Sequence, residues 1–102
     1  MYLVVFRNTK RADMAPTAYA AAAEEMEALA RAQPGFVSFK SFAAEDGEVV
    51  ALSEWADEAA AHSWGRMAAH RDVQARGRAE WYAEYTLYGC ANPRIHRFTH
   101  ED

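Results

Sequence analysis

The stretch WGRMAAHRDVQARGRAEWYAEY, residues 64–85, gathers the densest chemistry in the chain. His70 is its most versatile group, because an imidazole titrates near neutrality and can hold a hydroxyl, move a proton or bind a metal. Arg71 beside it offers a planar guanidinium fork for a carboxylate or an enolate oxygen, and equally for an ion pair with Glu80 or Glu84. Asn8 closes the apolar run at the start of the chain, where its amide can orient a substrate carbonyl or build a turn. His70, Asn8 and Arg71 are therefore the candidate catalytic residues. Trp64, Trp81, Tyr85, Phe6 and Met67 are the candidate substrate-binding residues, offering flat or soft apolar surface that would serve a core equally well.

Other chemistry finds little support in the residue pattern. The four histidines show no i, i+4 pair on one helix, so no metal site is expected. His62 falls on a solvated helix face, and His96 and His100 stand in the tail. The sequence contains no Gly-rich phosphate loop, dinucleotide fingerprint or nucleophile elbow. Cys90 is the single cysteine, which fits a reducing compartment. A net charge of -4 with mixed signs gives no electrostatic case for nucleic acid or an anionic membrane. The N-terminal apolar run is too short for a signal core or a membrane span, so a cytoplasmic protein is expected.

The elements that must position these residues can be read along the chain. With 102 residues, 51% of them hydrophobic, it forms a single domain, with a core over 2–91 and an extension over 92–102. Tyr2 to Asn8 is an apolar, β-branched strand. Pro16 suits the first turn of a helix that carries Tyr19, Ala22, Ala23, Met26, Leu29 and Ala30 on one face. Pro34-Gly35 stops that helix. A strand over FVSFKSF, an Asp46-Gly47 turn and a return strand over Val49 to Trp55 follow. Asp57 caps a second helix. An unbroken second helix would bury Arg71 and expose Val73. A break near Gly65 instead turns Met67, His70, Val73 and Gln74 inward. Gly77 then ends the helix, Trp81 to Ala91 forms the last strand, and NPRIHRF adds a short edge strand.

The order β-α-β-β-α-β predicts an α+β, ferredoxin-like antiparallel sheet with two helices on one face. Along the last strand, Trp81 and Tyr85 share the pocket face, while Tyr82 and Tyr88 face the other way. The strands are apolar at both parities although helices cover one face only, so the bare face predicts a homodimer.

The QPGF turn, the SEWAD-EA junction and the W...H...GR.EWY run resemble the antibiotic biosynthesis monooxygenase (ABM) family, over essentially residues 2–90. The resemblance implies a dimeric α+β barrel with a ligand pocket between sheet and helices in each protomer. It also implies oxygenation of a small aromatic or enolisable substrate without a cofactor. There His70 would act as the base, Asn8 and Arg71 would stabilise the oxyanion, and Trp64 with Tyr85 would form the walls. Haem-degrading relatives imply an alternative, in which Asn8 and Trp64 match that branch's pattern and His70 stands closer to Trp64 than the pattern has it. A non-catalytic dimeric small-molecule-binding protein is the reading from another class.

Overall fold

The computed structural model describes residues 1–101; Asp102, the end of the expected extension, lies outside the described residues. The elements are β1 (Tyr2–Lys10), α1 (Pro16–Arg31), β2 (Phe36–Ala43), β3 (Val49–Trp55), α2 (Glu58–Arg66), α3 (Ala68–Arg76) and β4 (Tyr82–Ala91). A π-helical turn over Gly77–Trp81 joins α3 to β4. The four strands lie in the order β2-β3-β1-β4, every pairing antiparallel. This is the ferredoxin-like α+β arrangement, with a second helical segment split in two.

Local chemistry accounts for the boundaries. Pro16 opens α1, where its missing N–H costs nothing. Asp57 accepts a hydrogen bond from the Ala60 amide at 2.8 Å and so caps α2. Gly35 turns the chain with φ +82°, and a β-carbon there would stand 2.6 Å from that of Ala60. The QPGF turn thus sets both the bend and the close approach of α2 to the start of β2.

Register fixes which side chains meet the helices. Tyr2, Val4, Phe6 and Asn8 lie opposite Trp55, Ser53, Ala51 and Val49 on β3, and opposite Ala91, Gly89, Leu87 and Tyr85 on β4. Tyr2 and Val4 join Trp55, Phe36, Ala30, Ala60, Ala61 and Trp64 in the core, so this parity is the helix side. The other parity carries Leu3, Val5 and Leu52, with Phe42 and Tyr88 50% and 44% exposed.

Several expectations are corrected. Strand β1 runs two residues past Asn8, to Lys10. The helix breaks at Met67, whose φ -62° and ψ 133° are extended, while Gly65 stays helical in α2. The consequence is still the expected one: Met67, His70, Val73 and Gln74 are half-buried, and Arg71 is exposed. Gly77 caps α3 at the expected place, but it keeps helical angles and opens the π turn in place of a link to the strand. Trp81 therefore belongs to that turn rather than to the strand. The register slips between Thr9 and Lys10, so Lys10 lies opposite Tyr82 and Ala83 is the extra residue. This bulge carries Tyr82 to the helix side, against the expected alternation. Residues 92–101 form no fifth strand. None of the helices among the described residues is long and apolar enough to cross a membrane.

Candidate functional site

His70 is held from two directions by one residue. At the end of α2 the Trp64 carbonyl accepts from the Met67 amide at 3.2 Å, and the extended Met67 lets the first turn of α3 fold back so that a second donor reaches the same oxygen. The His70 Nδ1 lies 3.0 Å from the Trp64 carbonyl oxygen. A carbonyl can only accept, so Nδ1 carries the proton and donates, and Nε2 keeps its lone pair. The imidazole also stacks on the Trp64 indole, with ring centroids 4.3 Å apart and planes 19° from parallel. Trp64 in turn lies over Trp55 at 6.3 Å. Burial pushes the His70 pKa down, and the hydrogen bond to Trp64 opposes it in part. Among the described residues, Nε2 has no hydrogen-bond partner.

Asn8 lies toward the other end of the helix side. It is within β1 rather than in a turn, and only 3% exposed. Its Oδ1 accepts a hydrogen bond from the Lys10 ammonium, which orients the amide and leaves Nδ2 to donate elsewhere. The Lys10 Nζ stands over the rings of Tyr19 at 4.7 Å and Tyr82 at 5.4 Å. Phe6 contacts both Tyr82 and Tyr85, at 5.4 and 5.3 Å. Burial, then Tyr19 and Tyr85, push the Tyr82 phenol far above its ordinary range, so it stays protonated.

The strand and α3 bridge the two groups. Trp55, against which Trp64 packs, lies opposite Tyr2, six residues along β1 from Asn8, or about 20 Å at a strand's rise. α3 leads from the Trp64 end to the π turn and Tyr82, its nine residues covering about 14 Å. Helix cover fades over β4, where the helix-side residues Tyr85 and Leu87 remain 41% and 61% exposed. A strip of Phe6, Tyr85 and Leu87, aromatic but for Leu87, is thus left open on the helix side of β1 and β4.

The other candidates are placed differently. Met67 is half-buried at the helix break. Arg71 is exposed and, among the described residues, makes no side-chain ion pair; the arginine that meets Glu80 is Arg76, at 3.6 Å. Trp81 is 2% exposed, wedged between Tyr19 at 5.4 Å and the Arg76 guanidinium at 5.0 Å. It borders a depression of about 500 Å³ with Arg11, Asp13, Arg76 and Glu80. A smaller one of about 210 Å³ includes Arg7, Asn8, Glu48, Glu84 and Tyr85. His70 and Trp64 border neither. Nε2 of His70 would be the atom to hold a haem iron, and neither of these two depressions adjoins it. No cluster of three metal-binding side chains occurs among the described residues.

Sequence reasoning missed Lys10 and Tyr19 as members of this site. Lys10 sits in a Lys-Arg pair that looks like a solvated loop, and Tyr19 reads as an ordinary inward helix position. A signal was available only in their convergence with Tyr82, which requires the bulge.

The fold and this arrangement define a small ferredoxin-like α+β protein with an aromatic, helix-side site. Residues 1–76 match the antibiotic biosynthesis monooxygenase (ABM) family model, and the chain belongs to that family. It is 33% identical over 86 residues to the uncharacterized protein YqjZ of Bacillus subtilis (strain 168), covering 84% of this chain and 74% of that one. In fold it is similar to Rv0793 of Mycobacterium tuberculosis, with TM-score 0.79, 20% identity and coverage of 92% and 96% of the two chains. It is likewise similar to SnoaB, a cofactor-independent oxygenase from Streptomyces nogalater, with TM-score 0.71, 22% identity and coverage of 96% and 94%.

Proposed function

We propose that this ABM protein is a monooxygenase that oxidises a small aromatic or enolisable compound with O₂, without flavin, haem or metal, as a homodimer. The observation that carries the reading is the His70 imidazole, fixed by Trp64 with Nε2 left as a lone-pair base and burial favouring its neutral form. A base held neutral near physiological pH is suited to taking a phenolic or enolic proton. The resulting anion is electron-rich enough to reduce O₂. When an activated CH₂ becomes a carbonyl, one oxygen atom enters the product and the other leaves as water. All four electrons then come from the substrate, so no external reductant is required. Phe6 and Tyr85, in contact with each other on the helix side, offer apolar surface to a ring system. Arg71, exposed on the outer side of α3, has no part in this reading. The structural likeness to a cofactor-independent oxygenase supports it.

The test is oxygen uptake and quinone formation over a panel of 1-naphthols, whose keto form carries the reacting CH₂ at C4, corrected for spontaneous oxidation and repeated with His70→Asn. Uptake that depends on His70 and persists after metal chelation is the expected result. A Soret change on haem titration that vanishes in His70→Asn would overturn the cofactor-free reading.

A further inference from the structure

Three arginines carry paired charges: Arg7 with Glu48 at 3.1 Å, Arg11 with Asp13 at 2.8 Å, and Arg76 with Glu80 at 3.6 Å. Lys10 makes no ion pair among the described residues. It is half-buried on the helix side, where its partners are the Asn8 amide oxygen and the faces of Tyr19 and Tyr82. These ligands hold a cation through dipoles and ring quadrupoles without neutralising it. The phenol of Tyr82 stays protonated through its burial and its neighbours Tyr19 and Tyr85, so it supplies no negative charge either.

The backbone is shaped for this contact. In unbroken register Lys10 would face Ala83, and Tyr82 would point to the far side of the sheet. The extra residue of the bulge brings Tyr82 opposite Lys10. Bulges are devices for re-aiming side chains, and they recur beside binding sites. The π turn immediately upstream, which packs the Tyr82 ring onto Gly77, is a second irregularity at the same place.

We infer that Lys10, held by Asn8 against Tyr19 and Tyr82, is a binding group for an oxyanion at the Phe6–Tyr85 end of the helix side, and that it favours an aromatic ligand in its phenolate or enolate form. This rests on the proposed function in assuming that the aromatic strip is where ligand binds. Recognition of the anion supplies a counter-charge to Lys10, and it lowers the cost of removing the proton.

The test uses 7-hydroxycoumarin, a fused-ring phenol whose neutral and anionic forms absorb at different wavelengths. Its pKa is measured by absorbance, free and bound to the full-length protein, in wild type, Lys10→Met and Lys10→Arg. The expected result is a bound pKa at least about one unit below the free value, a tenfold preference for the anion. Lys10→Met abolishes that depression and Lys10→Arg keeps most of it. A bound pKa equal to the free one, the same depression in Lys10→Met, or no binding of the probe to wild type overturns the assignment. The wild-type comparison does not depend on any variant folding. A depressed bound pKa without oxygen uptake on the naphthol panel leaves the anion site standing and sinks the monooxygenase reading; His70-dependent uptake without the depression does the reverse.

Discussion

His70 is hydrogen-bonded to the backbone and stacked on the side chain of one residue, Trp64. Its Nδ1 donates to the Trp64 carbonyl at 3.0 Å while its ring lies on the Trp64 indole at 4.3 Å. Backbone and side chain of one tryptophan therefore fix the tautomer, the tilt and the position of the imidazole together. The geometry exists because Met67 is extended, letting the chain turn back on the end of α2.

This double attachment separates structure from chemistry in a mutant pair. Asparagine at position 70 can still offer an N–H to the Trp64 carbonyl but has no basic nitrogen; alanine offers neither. His70→Ala should lower stability by about 1 kcal/mol, the usual worth of such a hydrogen bond, and His70→Asn by clearly less. Both should abolish oxygen uptake. Denaturant melts and uptake on the same preparations check this; activity surviving in His70→Asn would remove the base from the mechanism.

The pH dependence follows with a definite sign. Burial, partly opposed by the Trp64 hydrogen bond, holds the folded-state pKa of His70 below its ordinary value of 6.5. The unfolded chain therefore binds the proton more readily than the folded one. Stability from this residue is present above about 6.5 and is lost as pH falls through that value towards the folded pKa. The acid limb of the rate profile should likewise lie below 6.5. Melting points of wild type and His70→Asn, followed from about pH 7.5 down to about pH 5, should show a steeper fall for wild type. Equal slopes would contradict the assignment.

The element order was readable because its signals are local: the apolar, β-branched run of β1 and the spacing of Tyr19, Ala22, Met26 and Ala30 need no tertiary information. The irregularities were not. Met67 has no propensity that marks a break, and Gly65, which does, remains helical because nothing requires it to leave the helix. The bulge at Ala83 and the π turn are set by Trp81 and Tyr82 packing against Tyr19, contacts between distant parts of the chain. Asn8 and His70 could therefore be picked out by residue type, whereas Lys10 and Tyr19 become visible only once the bulge has turned Tyr82 toward them.

Gly35 provides the sharpest test of the fold. Its φ of +82° is strained for any residue with a β-carbon, and that carbon would meet the Ala60 side chain at 2.6 Å. Neither neighbour can give way easily, because Ala60 sits on a capped helix and the Ala56 amide donates to the Gly35 carbonyl at 2.7 Å. Gly35→Ala should cost at least about 2 kcal/mol, combining backbone strain with overpacking. Gly47 has φ +92° with nothing near its missing β-carbon, so Gly47→Ala should cost about 1 kcal/mol from strain alone. Equal losses in urea melts of the two variants would mean that the approach of α2 to the turn is not a tight constraint.

The bare side of the sheet leads to the last prediction. Leu3, Val5, Leu52, Phe42 and Tyr88 lie there together, with Arg7 and Glu48 as an exposed pair at the margin. Helices occupy the opposite face, so a second copy of the same face is the cover expected here. Leu52 is central, opposite Val5 on β1 and Lys40 on β2. Wild type should run as a dimer in light scattering at micromolar concentration. Leu52→Glu should weaken that dimer by more than about tenfold, at least about 1.4 kcal/mol, because two carboxylates would be brought together in an apolar contact. The variant protomer should still fold, since Leu52 lies outside the Trp55 core and a glutamate there can reach water in the monomer. A wild-type monomer would sink the dimer outright. A Leu52→Glu protein that remains a tight dimer would place the interface on another surface, with the exposed Ile95 and Phe98 of the C-terminal segment the next residues to change.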